Sequence, residues 1–146
     1  MYSGKGKLIP FPHFTIIIII KAQEVIILKT VNEIIERAKT LKPKKIAVAV
    51  AQDSEVLSAV EKARMAGIAG AILVGSRGKI EEIAEKSSIS LTEFEIIDIE
   101  DVKEACAKAV SLITEGRAHI LMKGIIDTSI FLKAVLNPES YRLSKL

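Results

Sequence analysis

Four short, mostly apolar runs recur along the chain and predict strands, of which the first two have the unbroken apolar character of buried strands. They lie at residues 46–51, 71–74, 95–99 and 118–122. A segment with apolar positions at helical spacing follows each run, so the pattern reads strand then helix four times over, after a leading helix. Alternation of this kind predicts an α/β fold with a parallel sheet between two layers of helices.

The predicted helices begin at residues that satisfy the free N–H groups of a first turn. Thr30 to Glu33 and Asp101 to Glu104 have the spacing of capping boxes, and Asp127 opens the last helix. We expect helices at about residues 30–40, 55–66, 79–86, 101–115 and 127–136. Their apolar stripes, such as Val56, Ala59, Val60 and Ala63, would face the sheet.

Residues 1–28 form an atypical apolar N-terminal segment, and the α/β unit is predicted for residues 29–146. The run at residues 15–20 is much shorter than the ~20 residues that a membrane-spanning helix needs. No small-residue cleavage site follows it, which argues against a secretory signal. The five consecutive isoleucines therefore predict a strand, or a segment foreign to the domain, and we expect a cytoplasmic protein without membrane partners.

Three polar turns follow the predicted strands and would meet at one edge of the sheet. In a parallel sheet this edge is where ligands bind, and the N-terminus of a helix there favours an anion. The candidate residues for binding a phosphate-bearing substrate are Lys123, Gly124, Thr128, Ser129, Asp53, Ser54, Ser76 and Arg77. Each also has an ordinary interpretation, as a helix cap, a turn glycine or an exposed cation.

Composition excludes several other functions. Aromatic residues make up 4% of the chain and the net charge is +3, so neither base stacking nor a dense basic patch supports nucleic-acid binding. One cysteine and two histidines are too few for a zinc site or a disulfide framework. Cys106 is interpreted as a core residue and His119 as a structural one, and no catalytic residue is assigned.

Five segments together resemble the phosphate acetyl/butyryltransferase family, nearest to its phosphate butyryltransferase branch. They are residues 42–60, 67–75, 79–85, 94–98 and 120–136, of which the last, ILMKGIIDTSIFLKAVL, is the most specific. The resemblance implies a fold like that of isocitrate and isopropylmalate dehydrogenases, here truncated. It also implies reversible acyl transfer between coenzyme A and phosphate, with coenzyme A as a substrate, no other cofactor and a homodimer.

Members of that family are roughly twice as long as this chain. The resemblance therefore implies the N-terminal portion of a phosphate acyltransferase, without the second half of the active-site cleft. Two alternatives remain open at this point. The chain could be a non-catalytic binding or dimerising module, or a generic Rossmann-like binder of a small molecule.

Overall fold

The structure is a computed structural model that describes residues 17–21, 24–28 and 30–138, and the chain divides into two compact units. The first unit ends at Ala38. It contains an antiparallel pair of strands, β1 (Ile17–Lys21) and β2 (Glu24–Leu28), and all but the last residue of the helix α1 (Val31–Lys39). A strand in the isoleucine run is thus confirmed. The Thr30 hydroxyl accepts a hydrogen bond from the Glu33 N–H (3.2 Å), which confirms the predicted cap.

The second unit, from Lys39 onward, is a four-stranded parallel sheet with helices on both faces. Its strands are β3 (Lys44–Ala49), β4 (Ala69–Gly75), β5 (Glu95–Asp98) and β6 (Ile120–Lys123). Its helices are α2 (Ser54–Met65), α3 (Arg77–Lys86), α4 (Val102–Thr114) and α5 (Thr128–Val135). The predicted three-layer α/β architecture is confirmed.

Alternation along the central strands explains the two helical layers. Ile46 and Val48 of β3 face α2 and α3, whereas Ala47 and Ala49 face α4 and α5. All four side chains are at most 7% exposed, as expected for a strand covered on both faces. Cys106 of α4 is fully buried in the second cluster, so its interpretation as a core residue is confirmed.

The strand order is β5-β4-β3-β6, which places a topological switch point between β3 and β6. From β3 the chain adds β4 and then β5 on one side, and it then returns to place β6 on the other side of β3. Connections diverge at such a point and leave a crevice at the carboxyl ends of the two strands, where ligands bind in open α/β sheets. The turns after β3 and β6 border this crevice.

Candidate functional site

The turn after β6 is packed tightly against the end of β3. The Gly124 N–H donates to the Ala49 carbonyl (2.8 Å), and the Ile125 N–H donates to the Val50 carbonyl (3.2 Å). A Cβ atom on Gly124 would lie 2.0 Å from the Val50 carbonyl oxygen. Glycine is therefore required at position 124 by the close approach of two backbones, which gives this turn residue a structural role at the switch point.

Val50 holds the other side of this contact in a strained conformation. Its φ of 59° lies in the left-handed region, and its side chain is only 2% exposed. A β-branched residue rarely adopts such a φ, because Cβ crowds the backbone. Conformations of this kind persist only where the surroundings enforce them, and they cluster at ligand-binding sites. The strain lies at the carboxyl end of β3, where the crevice begins.

A second close contact joins the turn after β3 to the end of β4. Gly75 has a φ of 156°, and a Cβ atom there would lie 2.3 Å from the Gln52 side-chain oxygen. That oxygen, Oε1, is buried without a hydrogen-bond partner in the part of the chain that the structure describes. The Ala51 N–H donates to the Val74 carbonyl (3.0 Å) and fixes the turn over β4. Gln52 was not among the predicted site residues, although it directly precedes two of them, Asp53 and Ser54.

The helix N-termini at this edge are capped by carboxylates of the chain itself. The Val56 N–H of α2 donates to Asp53 (3.0 Å), and the Ser129 N–H of α5 donates to Asp127 (2.7 Å). In α3 the Arg77 N–H donates to Asp98 at the end of β5 (2.9 Å). These carboxylates already accept hydrogen bonds from the helix N–H groups and lie at the positive ends of the helix dipoles. A bound anion at any of these N-termini would therefore lie close to a like charge.

Asp127 is held in its charged form by these contacts. Hydrogen bonds from the Ser129 side chain and backbone, with a smaller contribution from the charge of Lys123, lower the pKa of the Asp127 carboxyl. The sequence analysis interpreted Asp127 as a helix cap, and the structure confirms this. An ionised Asp127 is poorly suited to donate a proton, but it can orient the turn and offset the charge of Lys123.

The two candidate cations, Lys123 and Arg77, already bond to different kinds of partner. The Lys123 ammonium donates to the Ile126 carbonyl (2.8 Å), within its own turn. The Arg77 guanidinium donates to the Ile96 carbonyl of β5 (3.0 Å) and lies 3.7 Å from the Glu81 carboxylate. Arg77 thus ties α3 to β5, whereas the hydrogen bonds of Lys123 within the described residues go to carbonyl oxygens of its own turn.

The remaining candidates lie at the same edge but differ in exposure. Ser54 begins α2 and is exposed, as are Thr128 and Ser129 at the start of α5. Ser76 is 6% exposed and makes no side-chain capping bond to α3. A groove of about 470 Å³ borders the α2 start and is lined by Gln52, Asp53, Ser54, Glu55, Ile83, Lys86, Ser87 and Ile125.

Two residues considered in the sequence analysis lie away from this crevice. His119 precedes β6, and its Nδ1 accepts from the Lys45 N–H (3.3 Å) at the start of β3, which is a structural contact. Cys106 is enclosed in α4, where burial raises the pKa of its thiol. Within the described residues, no three His, Cys, Asp or Glu side chains are grouped so as to hold a metal ion. None of the described helices is long and apolar enough to cross a membrane.

Comparison with known proteins now identifies the family. The profile of the phosphate acetyl/butaryl transferase family matches residues 29–119, more than half of the chain. The chain belongs to this family. Within it, the chain is 49% identical to the phosphate butyryltransferase of Clostridium beijerinckii over 111 residues, and 48% identical to that of Clostridium acetobutylicum over 112 residues. The resemblance noted from the sequence is confirmed.

The aligned part is only a portion of these family members. It covers 76% of this chain but 37% of the C. beijerinckii enzyme, so the chain spans little more than a third of its curated relatives' length. A crystal structure of a branched-chain phosphotransacylase from Enterococcus faecalis V583 matches with a TM-score of 0.52 at 24% identity. The match covers 66% of this chain and 33% of that one, and it supports the fold.

Proposed function

We propose that this chain forms one wall of the active-site cleft of a phosphate acyltransferase. The reaction converts an acyl-CoA and phosphate into an acyl phosphate and free coenzyme A, with butyryl or acetyl as the acyl group. Coenzyme A is a substrate here, and no separate cofactor takes part. Family membership supports the chemistry, and the strained, closely packed crevice between the ends of β3 and β6 is the observation that favours this site.

The phosphate-bearing substrate would bind at the turn that follows β6. Lys123 supplies the positive charge, and the Thr128 and Ser129 hydroxyls lie at the exposed start of α5. Ser129 would exchange its side-chain hydrogen bond to Asp127 for one to a phosphate oxygen. Lys123 can exchange its carbonyl partner for a phosphate oxygen, because its ammonium group is attracted more strongly to an anionic acceptor than to a neutral one. The close contact between Gly124 and Val50 fixes the position of this turn relative to the end of β3.

The turns after β3 and β4 would border the same substrate. Asp53 and Ser54 lie at the start of α2, and Ser76 and Arg77 lie at the start of α3. Asp53 and Asp98 place negative charge at these two turns, as Asp127 does beside Lys123, so each of the three turns carries a carboxylate close to the proposed anion. The substrate's remaining charge would be offset by groups outside this chain, which supply the opposite wall of the cleft. The cytoplasmic location and the dimeric state stay predictions.

Binding of acetyl phosphate and of phosphate, followed by two-dimensional NMR of the backbone amides, tests this proposal. We expect the amides of residues 123–129 to shift with ligand concentration, and Lys123→Gln to weaken the response at least threefold. Lys133→Gln is the matched control, since it removes an exposed lysine from the last turn of α5, at the far end of the helix from the turn that follows Lys123. An equal effect of both variants, or shifts confined to other residues, would contradict the assignment.

Turnover is measured separately. Release of coenzyme A from butyryl-CoA in the presence of phosphate should stay at the buffer level for this chain alone, because one wall cannot align both reactants. Phosphate-dependent release by the isolated chain would show that the described crevice is a complete active site. The alternative of a non-catalytic dimerising module predicts no ligand-dependent shift at residues 123–129, whereas a non-catalytic binding module predicts these shifts without turnover.

A further inference from the structure

Most of the exposed large apolar side chains of the second unit lie in the stretch that contains β6 and α5. Within the described residues, this unit exposes six such side chains, and four of them lie between residues 120 and 136. We call these four, Ile120, Ile125, Leu132 and Leu136, the β6–α5 face. The other two, Leu41 and Met65, precede β3 and end α2 respectively. A cluster of this kind in one stretch marks a surface that another polypeptide covers.

The strand in this face has an open edge and an incompletely covered surface. β6 pairs with β3 on one side and has no strand partner on the other in the described part of the sheet. Ile120 is in register with Ile46, so it points to the sheet face that carries α2 and α3. These helices pack mainly on β4 and β5, and Ile120 therefore stays 47% exposed. An open edge with an apolar flank is a surface for adding further strands.

The helix in this face, α5, has two apolar sides, and only one of them packs against the described core. Phe131 and Ala134 pack against the core cluster that contains α4. Leu132 and Leu136 are one turn apart and point away from that cluster, with exposures of 47% and 70%. A helix with one stripe in a core and a second stripe in water is typical of a layer with a missing neighbour. Ile125, 60% exposed, lines the groove with residues of α2 and α3, so the β6–α5 face borders the edge of β6 on both sides of the sheet.

We propose that the β6–α5 face is the docking surface for the part of a phosphate acyltransferase polypeptide that this chain does not contain. The occupant follows from the comparison of lengths, because the aligned segment covers only 37% of relatives with which it shares about half of its residues, so most of their length lies outside it. The added polypeptide extends the sheet at β6 and packs a helix or strand against Leu132 and Leu136. The crevice after β3 and β6 lies beside this junction, so docking would also bring the second wall of the cleft to the candidate site.

A chimaera tests this interface by stability alone, which keeps it independent of the proposed activity. In the C. beijerinckii phosphate butyryltransferase, the aligned segment is replaced by the corresponding residues of this chain. Leu136→Lys is then introduced both in the chimaera and in the isolated chain. We expect the thermal midpoint to fall by about 5 °C or more in the chimaera, and to stay unchanged in the isolated chain, where position 136 is exposed.

Met65→Lys is the matched control, because Met65 is 73% exposed and also lies at the C-terminus of a helix. It should leave the midpoint unchanged in both proteins. Equal effects of the two variants in the chimaera would overturn the proposal. If the chimaera does not fold, the chain is co-expressed with the rest of the C. beijerinckii enzyme. The amount of that enzyme part which co-purifies with the chain should then fall at least tenfold with Leu136→Lys and stay unchanged with Met65→Lys. A dimer of the isolated chain that Leu136→Lys dissociates would instead make a second copy the occupant.

Discussion

Replacing Gly124 with alanine tests whether the contact between the two turns holds the candidate site together. The new Cβ atom would lie 2.0 Å from the Val50 carbonyl oxygen and 2.8 Å from that of Ala49. Both neighbours are backbone atoms, which cannot rotate away as a side chain would. Ordinary contact distances are about 3.5 Å, so the turn would have to move by more than about 1 Å.

The cost follows from the bonds that such a movement breaks. The hydrogen bonds from the Gly124 and Ile125 N–H groups to β3 contribute about 1 kcal/mol each, and the residual overpacking costs about 1–3 kcal/mol. We therefore expect Gly124→Ala to lower the free energy of unfolding by about 3–5 kcal/mol. This is a large part of the roughly 5–15 kcal/mol that stabilises a typical domain.

Urea unfolding followed by circular dichroism measures this loss. The control is Gly78→Ala in the first turn of α3, where an added Cβ atom has no neighbour within 4 Å and where alanine gains up to about 1 kcal/mol of helix propensity. Gly124→Ala should lower the urea midpoint strongly, and Gly78→Ala should leave it unchanged or raise it. A loss below about 0.5 kcal/mol for Gly124→Ala, at an unchanged denaturant slope, would refute the packing argument.

Three further predictions concern strain, charge and burial. At Val50, whose φ is 59°, glycine should be tolerated better than alanine by about 1 kcal/mol in urea unfolding, although glycine removes more buried surface. Ser129 lowers the pKa of the Asp127 carboxyl, so the contribution of Asp127 to stability is complete above the unfolded-state pKa of 3.8 and is lost as the pH falls through the folded-state pKa. Asp127→Asn should therefore make the free energy of unfolding depend less on pH below about pH 4. The buried thiol of Cys106 has a raised pKa and should react with a thiol reagent at pH 8 only at the rate of unfolding, whereas immediate reaction would contradict its placement in the core.

The elements of the second unit were predictable because local patterns specify them. The apolar run at residues 46–51 has no polar positions, which indicates burial on both faces, and β3 is one of the two central strands. The caps at Asp53, Asp101 and Asp127 were readable because each carboxylate bonds N–H groups two or three residues ahead. Such interactions depend on spacing within a few residues, and the sequence displays that spacing directly.

The start of α3 shows what local patterns could not provide. The predicted helix begins at Lys79, since Ser76 and Gly78 favour a turn, but the observed helix begins at Arg77. The N–H group of Arg77 is satisfied by Asp98, 21 residues further along the chain. A cap that comes from a residue distant in the sequence gives no local sequence signal at the start of the helix. The place of β6 beside β3 is equally hidden, because periodicity gives the burial of a strand but not its neighbours.

The charges at the crevice indicate which candidate residue is best able to meet a phosphate. Arg77 bonds a carbonyl of β5 and lies beside Glu81, so releasing it would loosen the junction of α3 with the sheet. Lys123 bonds carbonyl oxygens of its own turn, and that turn is independently fixed by Gly124 against β3. Its ammonium group can therefore change partners without a change of fold. Since Asp53, Asp98 and Asp127 already place negative charge at the helix N-termini, the cation that moves most easily should contribute most to substrate binding on this wall.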